Sequence, residues 1–523
     1  MPDLTRHRLV TAVVGLADRH GRAARPARPA RIRGPRRWTD LFVPLAVVSF
    51  ALVLVSGVLL ALWFEPSMRP VVYAGDYAPL RGVTMSEAYA STVRVSLEVP
   101  GGLLVRQVHH WASLVFVAAL SAHLLRTFLA GAFRGYRRPI WLVLLALLVL
   151  SIAEAYLGHS LPDDLQSGTG LRVTEGYLLA TPVVGTWLSW LVFGNEFPGD
   201  QIIGRLNTVH VWVLPALIAG LGAVWALLAY RRWRAAPPPD GDPPRRYAVR
   251  MGGLALLVSG AIVAMAAAVQ VNPVWLWGPF DAAQAPAGSR PPWYLGFLDG
   301  AVRLMPPWEP DVFGYTLTLS VVVPVMVLPG VLLGTLALYP WFERWATGDR
   351  RDPDVLDRPR DLPVRTGLVA AFVAFYLVLW IAGAGDTFAT LLHVPLDPLV
   401  RFLQAAAVVA PPLAFWAAKR ICLGLRLRDL EELRHGHATG IVVVSVEGGF
   451  SELHRPLTEA EARRRAPGGA PVPAGAGAPA DVHGIPNPRY RADRRRALAS
   501  RFYFADLPGN RPVSGDVQVK EHG

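Results

Sequence analysis

The stretch Arg106-Gln-Val-His-His-Trp-Ala-Ser-Leu-Val-Phe-Val-Ala-Ala-Leu-Ser-Ala-His-Leu-Leu-Arg126 decides how this chain is read. His109 and His123 stand fourteen residues apart in an apolar segment. Fourteen steps of a helix close to within about 40° of whole turns and rise about 21 Å. Both imidazoles therefore share one face, at two depths of a membrane-sized helix. Ionisable side chains at such depth are costly and are kept for function. Arg106 and Arg126 each flank one of them at three residues. The arrangement is that of ligands for two stacked cofactors; its plainer counterpart is a pair of polar residues bonding neighbouring helices. His110 is turned by about 100° from His109 and leaves the His123 face.

The rest of the chain supplies the setting. Of 523 residues 52% are apolar and 17 are tryptophan, a composition of polytopic membrane proteins. Eight apolar segments are long enough to cross, at about 41–63, 107–131, 139–158, 208–230, 249–270, 315–338, 366–385 and 401–421. Each is expected to be helical, because lipid cannot satisfy open backbone groups. The fold class is thus an all-α membrane protein of eight transmembrane helices. The net charge of +13 comes almost wholly from arginine. It is read as a basic surface facing anionic lipid, with no nucleic acid as partner. Arg134-Gly-Tyr-Arg137-Arg138, Arg231-Arg232-Trp-Arg234 and the run Arg344 to Arg365 fall on one side with the N-terminal arm. The connections 64–106, 159–207 and 271–314 fall on the other. The positive-inside rule then puts both termini in the cytoplasm. No signal peptide is read at the N-terminus, where Leu9 to Leu16 is a short apolar patch. One cysteine, Cys422, excludes an internal disulfide.

Regions are expected at 1–40 (cytoplasmic arm), 41–230 (four-helix core), 231–422 (four further helices) and 423–523 (soluble tail). Within the tail, 466–482 is rich in Pro, Gly and Ala and reads as a linker. Thr181 to Trp190 reads as a short interfacial helix anchored by Trp187 and Trp190, or else as a simple loop. His393, His435 and His437 read as solvated.

In the deduced topology His109 and His210 both lie near the outer ends of their helices, at matching depth. They can clamp one iron axially, leaving no open position for oxygen, as suits electron transfer.

The chain resembles the cytochrome b subunit of the quinol–cytochrome c reductase (cytochrome bc) family, in its long actinobacterial form, from about residue 38 to about 505. The resemblance rests on Asp76-Tyr-Ala-Pro-Leu-Arg-Gly-Val, Val105-Arg-Gln-Val-His-His-Trp, Ser160-Leu-Pro-Asp-Asp, Gly185-Thr-Trp-Leu, Val271-Asn-Pro-Val-Trp, Pro307-Trp-Glu and Arg358-Pro-Arg-Asp-Leu-Pro-Val-Arg-Thr. It implies a four-helix core holding haem b, one or two per chain, with quinol, menaquinol by the actinobacterial likeness, as substrate. It also implies a Rieske iron–sulfur subunit and a cytochrome c subunit as partners, membrane lipid around it, and a homodimer within a larger complex. By the same likeness His109 and His210 would ligate the outer haem and His123 the inner one. Arg106 and Arg126 would meet haem propionates.

Two positions depart from the family's pattern. The partner histidine expected about fifteen residues past His210 is Trp225, and no histidine lies between His210 and His393. Indole nitrogen is a donor only and has no lone pair for iron. A five-coordinate inner haem, an unexpected ligand, or no inner haem all remain open. The second departure is in the outer quinol motif, read here as Pro291-Pro292-Trp293-Tyr294, where the family's acid has become Pro292. Trp293 and Tyr294 keep their family positions, and Glu309 or Asp299 is the candidate replacement for the lost proton acceptor. A milder change is His159, where the family usually has tyrosine. A diverged paralogue, acting as a single-haem carrier or a structural membrane subunit, is the competing reading. A transporter would show a repeat and broken helices, and neither is seen.

Overall fold

The computed structural model describes residues 38–507 apart from 195–196, 236–242, 285–288, 350–355, 446–447, 467–478, 481–488 and 505. The N-terminal arm to residue 37 and most of the expected linker lie outside the described residues. Among the described residues eight helices are long and apolar enough to cross a membrane: Thr39–Leu60, Gly102–Leu129, Gly135–Ser160, Ile202–Arg232, Pro244–Ala268, Leu319–Thr347, Pro363–Gly383 and Leu396–His435. These are the eight segments expected from hydropathy. The eighth differs most, running as one helix to His435 through Pro411 and Pro412. The segment assigned to the start of the tail is therefore still helix.

The first four spans form a bundle in which the first packs on the second, the second on the third and the third on the fourth. The fifth span leans on the first and second. The fourth is not a uniform α-helix: Val209–Val213 is a π-turn. Such a bulge places one extra residue in a turn. A fifteen-residue interval starting at His210 consequently keeps the register that fourteen residues keep on the second span. The seventh and eighth spans pack together, and the helix Gly296–Leu304 lies against the seventh. Contact there is close because glycine carries no side chain: a Cβ on Gly300 would sit 1.7 Å from the carbonyl oxygen of Leu379.

At the bundle end that carries His109, the long connections fold into a cap. A hairpin pairs Pro70–Val72 with Thr84–Ser86. Helices follow at Glu87–Leu97, Leu165–Leu179 and Gly185–Phe193. The last begins four residues after the expected Thr181, and its Trp187 and Trp190 are exposed, as an interfacial helix requires. Leu165–Leu179 was not foreseen, because its apolar residues follow no clean stripe. Tyr73, Leu80, Met85, Tyr89, Val93 and Val274 make the core of the cap.

The opposite end is tied by charge. Arg365, 1% exposed, bonds Glu343 at 2.6 Å and Asp357 at 2.8 Å. Arg134 reaches Asp349 at 2.9 Å and Asp357 at 3.2 Å. Tail helix Tyr490–Phe504 docks on the sixth span, where the hydroxyls of Tyr503 and Tyr339 lie 3.1 Å apart.

Candidate haem and quinol sites

The second span is pinned at its start by the connection between the fifth and sixth. The Gln107 amide donates to the carbonyl of Val271 at 3.0 Å, and the Val271 N–H donates back to Gln107 Oε1 at 2.8 Å. Arg106 donates to the carbonyl of Asn272 at 2.6 Å, and the Trp111 indole to that of Val269 at 2.9 Å. These bonds fix the rotation of the helix, and with it the direction of His109.

His109 faces His210 across the bundle, ring centroids 6.2 Å apart at 76°. Two imidazole–metal bonds of about 2 Å plus two ring radii of about 1.2 Å bring centroids to about 6 Å. The gap thus has the width for one metal ion gripped from both sides. Each ring has a polar neighbour at Nδ1, hydrogen-bonded for His109 and a carboxylate at ion-pair distance, without hydrogen-bond alignment, for His210. Nδ1 of His109 lies 3.0 Å from the Ser56 hydroxyl, and Nδ1 of His210 lies 3.0 Å from Oε1 of Glu154. A partner on Nδ1 fixes tautomer and orientation and leaves Nε2 for a metal. A glycine lies against each ring: a Cβ on Gly57 would sit 3.1 Å from His109 Cε1, and one on Gly158 would sit 2.5 Å from His210 Cε1 and 2.9 Å from its Nε2. Nearby, Nη1 of Arg106 is buried with no partner. An unpaired buried guanidinium nitrogen is costly and suits an anionic group such as a propionate. The residues here fit a bis-histidine haem.

The other end of the bundle differs. His123 faces Trp225, centroids 6.3 Å apart at 82°. The π-turn register has carried the indole to the place of the missing imidazole. Nδ1 of His123 and Nε1 of Trp225 are both buried without partners. Arg126, expected at a propionate, is paired with Asp40. The residues here do not fit a haem held by two imidazoles.

His110 turns to the third span and meets His159, centroids 6.4 Å apart at 88°. Sequence reasoning did not find this pair, because nothing in either helix fixes their relative rotation. Its ring spacing, 6.4 Å, is close to the 6.2 Å of His109 and His210.

Tyr294 is 4% exposed and packs on Trp293, whose carbonyl accepts from the Tyr376 hydroxyl at 3.1 Å. Burial pushes the Tyr294 hydroxyl upward, and neighbouring Tyr156 adds to it. Asp299 follows on the helix Gly296–Leu304 and bonds Arg303 at 2.7 Å, which also bonds Asp386 at 2.6 Å. Burial raises the Asp299 carboxyl above its ordinary value, and Arg303 opposes the shift. Glu309 is exposed. On the cap, burial lifts Asp163 to about 7 against its bond from the Ser86 hydroxyl at 2.6 Å. Asp163 and Asp164 close the Ser160-Leu-Pro-Asp-Asp motif.

Residues 114–279 match the family model for the N-terminal part of cytochrome b, b6 and petB. The cytochrome bc1 complex cytochrome b subunit of Streptomyces coelicolor is 39% identical over 481 residues, 90% of this chain and 88% of that protein. The same subunit of Mycobacterium tuberculosis is 40% identical over 503 residues, 94% of this chain and 88% of that one. This chain belongs to the cytochrome b subunits of cytochrome bc1 complexes. A solved structure described as a hyperthermophilic respiratory Complex III shares the fold, with a TM-score of 0.54 at 19% identity, covering 80% of this chain and 98% of its own. Likeness along nine-tenths of the chain does not favour a paralogue with a role outside the bc1 complex; the number of haems is a separate question. Membership makes haem b the cofactor, places the chain in a bacterial membrane as a multi-pass subunit, and implies Rieske and cytochrome c partners.

Proposed function

We propose that this subunit holds a low-spin haem b between His109 and His210 and takes electrons from menaquinol oxidised beside it. The carrying observation is the 6.2 Å separation of those two rings from opposite spans. When bound, the haem supplies a one-electron acceptor inside the bundle. The chain's own residues do the rest. Ser56 orients the His109 ring, the Glu154 carboxylate faces Nδ1 of His210 at ion-pair distance, Gly57 and Gly158 leave the rings room, and Arg106 offers a buried cation to a propionate. Trp293 and Tyr294 form the wall of the quinol pocket. Asp299, half-buried on the helix that follows them, is the proton acceptor that stands in for Pro292; exposed Glu309 is the reserve candidate. Arginine-rich connections support an orientation with both termini in the cytoplasm and His109 at the outer face. The functional unit is a homodimer within the larger complex.

Replacing His109 by Ala is expected to remove this haem from the reduced-minus-oxidised spectrum. Retention of the full signal would reject the assignment. For the acid, Asp299→Asn is expected to lower quinol oxidation about 10²-fold in kcat, the scale of a lost general base. Unchanged turnover in an Asp299→Asn, Glu309→Gln double variant would exclude both.

A further inference from the structure

The two ends of the four-helix core are related by an internal register, and that register exposes what has changed between them. On the second span, fourteen residues inward from His109 is His123. On the fourth, the equivalent step from His210, one residue longer because of the π-turn, reaches Trp225. The first and third spans run the other way, so the same step is taken backwards. From Gly57 it reaches Val43, and from Gly158 it reaches Leu144. Three of the four positions that shape the His109 end therefore have a bulky side chain in their counterpart.

The packing agrees. Leu144 is 2% exposed, in a close-packed cluster with Ala46, Leu120, Leu124 and Trp141. Interiors packed in this way leave no room for a macrocycle. Nδ1 of His123 has no hydrogen-bond partner, whereas Nδ1 of His109 lies 3.0 Å from the Ser56 hydroxyl; Nδ1 of His210 also lacks an aligned hydrogen bond, but has the Glu154 carboxylate 3.0 Å away. The cation that would meet a propionate is neutralised by Asp40, whereas Arg106 keeps a nitrogen unpaired. The histidine pair, the two glycines and an unpaired cation are present at one end, and each is altered at the other.

We infer that the His123 end is a closed site: the chain carries one haem b, between His109 and His210, and Trp225, Val43 and Leu144 fill the position of a second. The inference rests on the His109–His210 reading and sharpens it. An electron delivered at the His109 end then has no second haem of this chain, about 21 Å further along the helix, through which to cross. His123 is kept as a packing partner of the indole.

The test is a count of b-type haem in the purified intact complex, extracted with acidified acetone so that covalently attached c-type haem stays behind, and expressed per cytochrome b chain. The expected ratio is one. His123→Leu, which keeps volume, is expected to leave it at one. Trp225→His alone is also expected to leave it at one, because Val43 and Leu144 still occupy the space. A ratio of two in the unaltered chain, or a loss of one haem in His123→Leu, would overturn the inference while leaving the His109–His210 site standing. A ratio of zero would overturn both.

Discussion

At the scale of single residues, the site depends on small groups against large ones. Gly158 is held to glycine by the His210 ring, 2.5 Å from where a Cβ would lie. Gly158→Ala is expected to tilt that ring and lower haem occupancy at the His109 end, measured as extractable haem b per chain; undiminished occupancy would show that the ring has slack. Glu154 is a carboxylate inside a span, 3.0 Å from Nδ1 of His210. A carboxylate partner makes imidazole a stronger electron donor to a metal and so favours the oxidised form. Glu154→Gln is expected to raise the midpoint potential of this haem by about 60 mV, a tenfold change for a one-electron couple. A redox titration reads it, and an unchanged or lowered potential would count against the role. The ligands themselves were legible in the sequence because their spacing carries depth and face together. Ser56, Gly57 and Glu154 were not, since a contact between two helices depends on the rotation of both.

At the scale of elements, the corner after the third span has a pH-dependent joint. Asp163 is held at φ 54° and buried, with its pKa lifted to about 7 mainly by desolvation. An unfolded aspartate titrates near 4. Between about pH 4 and 7 the folded chain therefore holds a proton that the unfolded chain has lost. By linkage this contribution favours folding fully below about pH 4, and is lost as pH rises towards 7. Asp163→Asn is expected to flatten that slope and to raise thermal stability above pH 7 relative to the unaltered chain. Parallel melting curves at all pH values would contradict this. The fourth span teaches a related lesson. Its hydropathy placed the helix at 208–230, and its two aromatic-face positions were fifteen residues apart, an interval that fits an ordinary helix less well than fourteen. The π-turn at Val209–Val213 takes up the extra residue and so brings Trp225 to face His123, and no residue pattern announces a π-turn. The eight spans were readable because lipid forces helix on any long apolar run. The cap helix Leu165–Leu179 was not, because it is shaped by packing under the connections and not by a membrane.

At the scale of the whole molecule, the two ends of the bundle have different kinds of stability. The end carrying His109 is held by backbone bonds from the cap to Arg106 and Gln107. The other is held by the buried charge cluster of Arg365, Glu343, Asp357 and Arg134. Removing one member of such a cluster strands its partners, at a cost of about 3–5 kcal/mol. Arg365→Met is expected to lower thermal stability of the purified subunit by that order, with the His109-end haem spectrum intact before melting. An unaltered melting temperature would mean the cluster contributes nothing net. The central claim concerns the other end, where two rods from different parts of the chain grip one metal. The most direct test is low-temperature electron paramagnetic resonance of the oxidised complex, comparing the unaltered chain with His109→Leu and His210→Leu. The account predicts a low-spin b-type haem signal that disappears in each single variant. The same low-spin signal surviving in either one would contradict it.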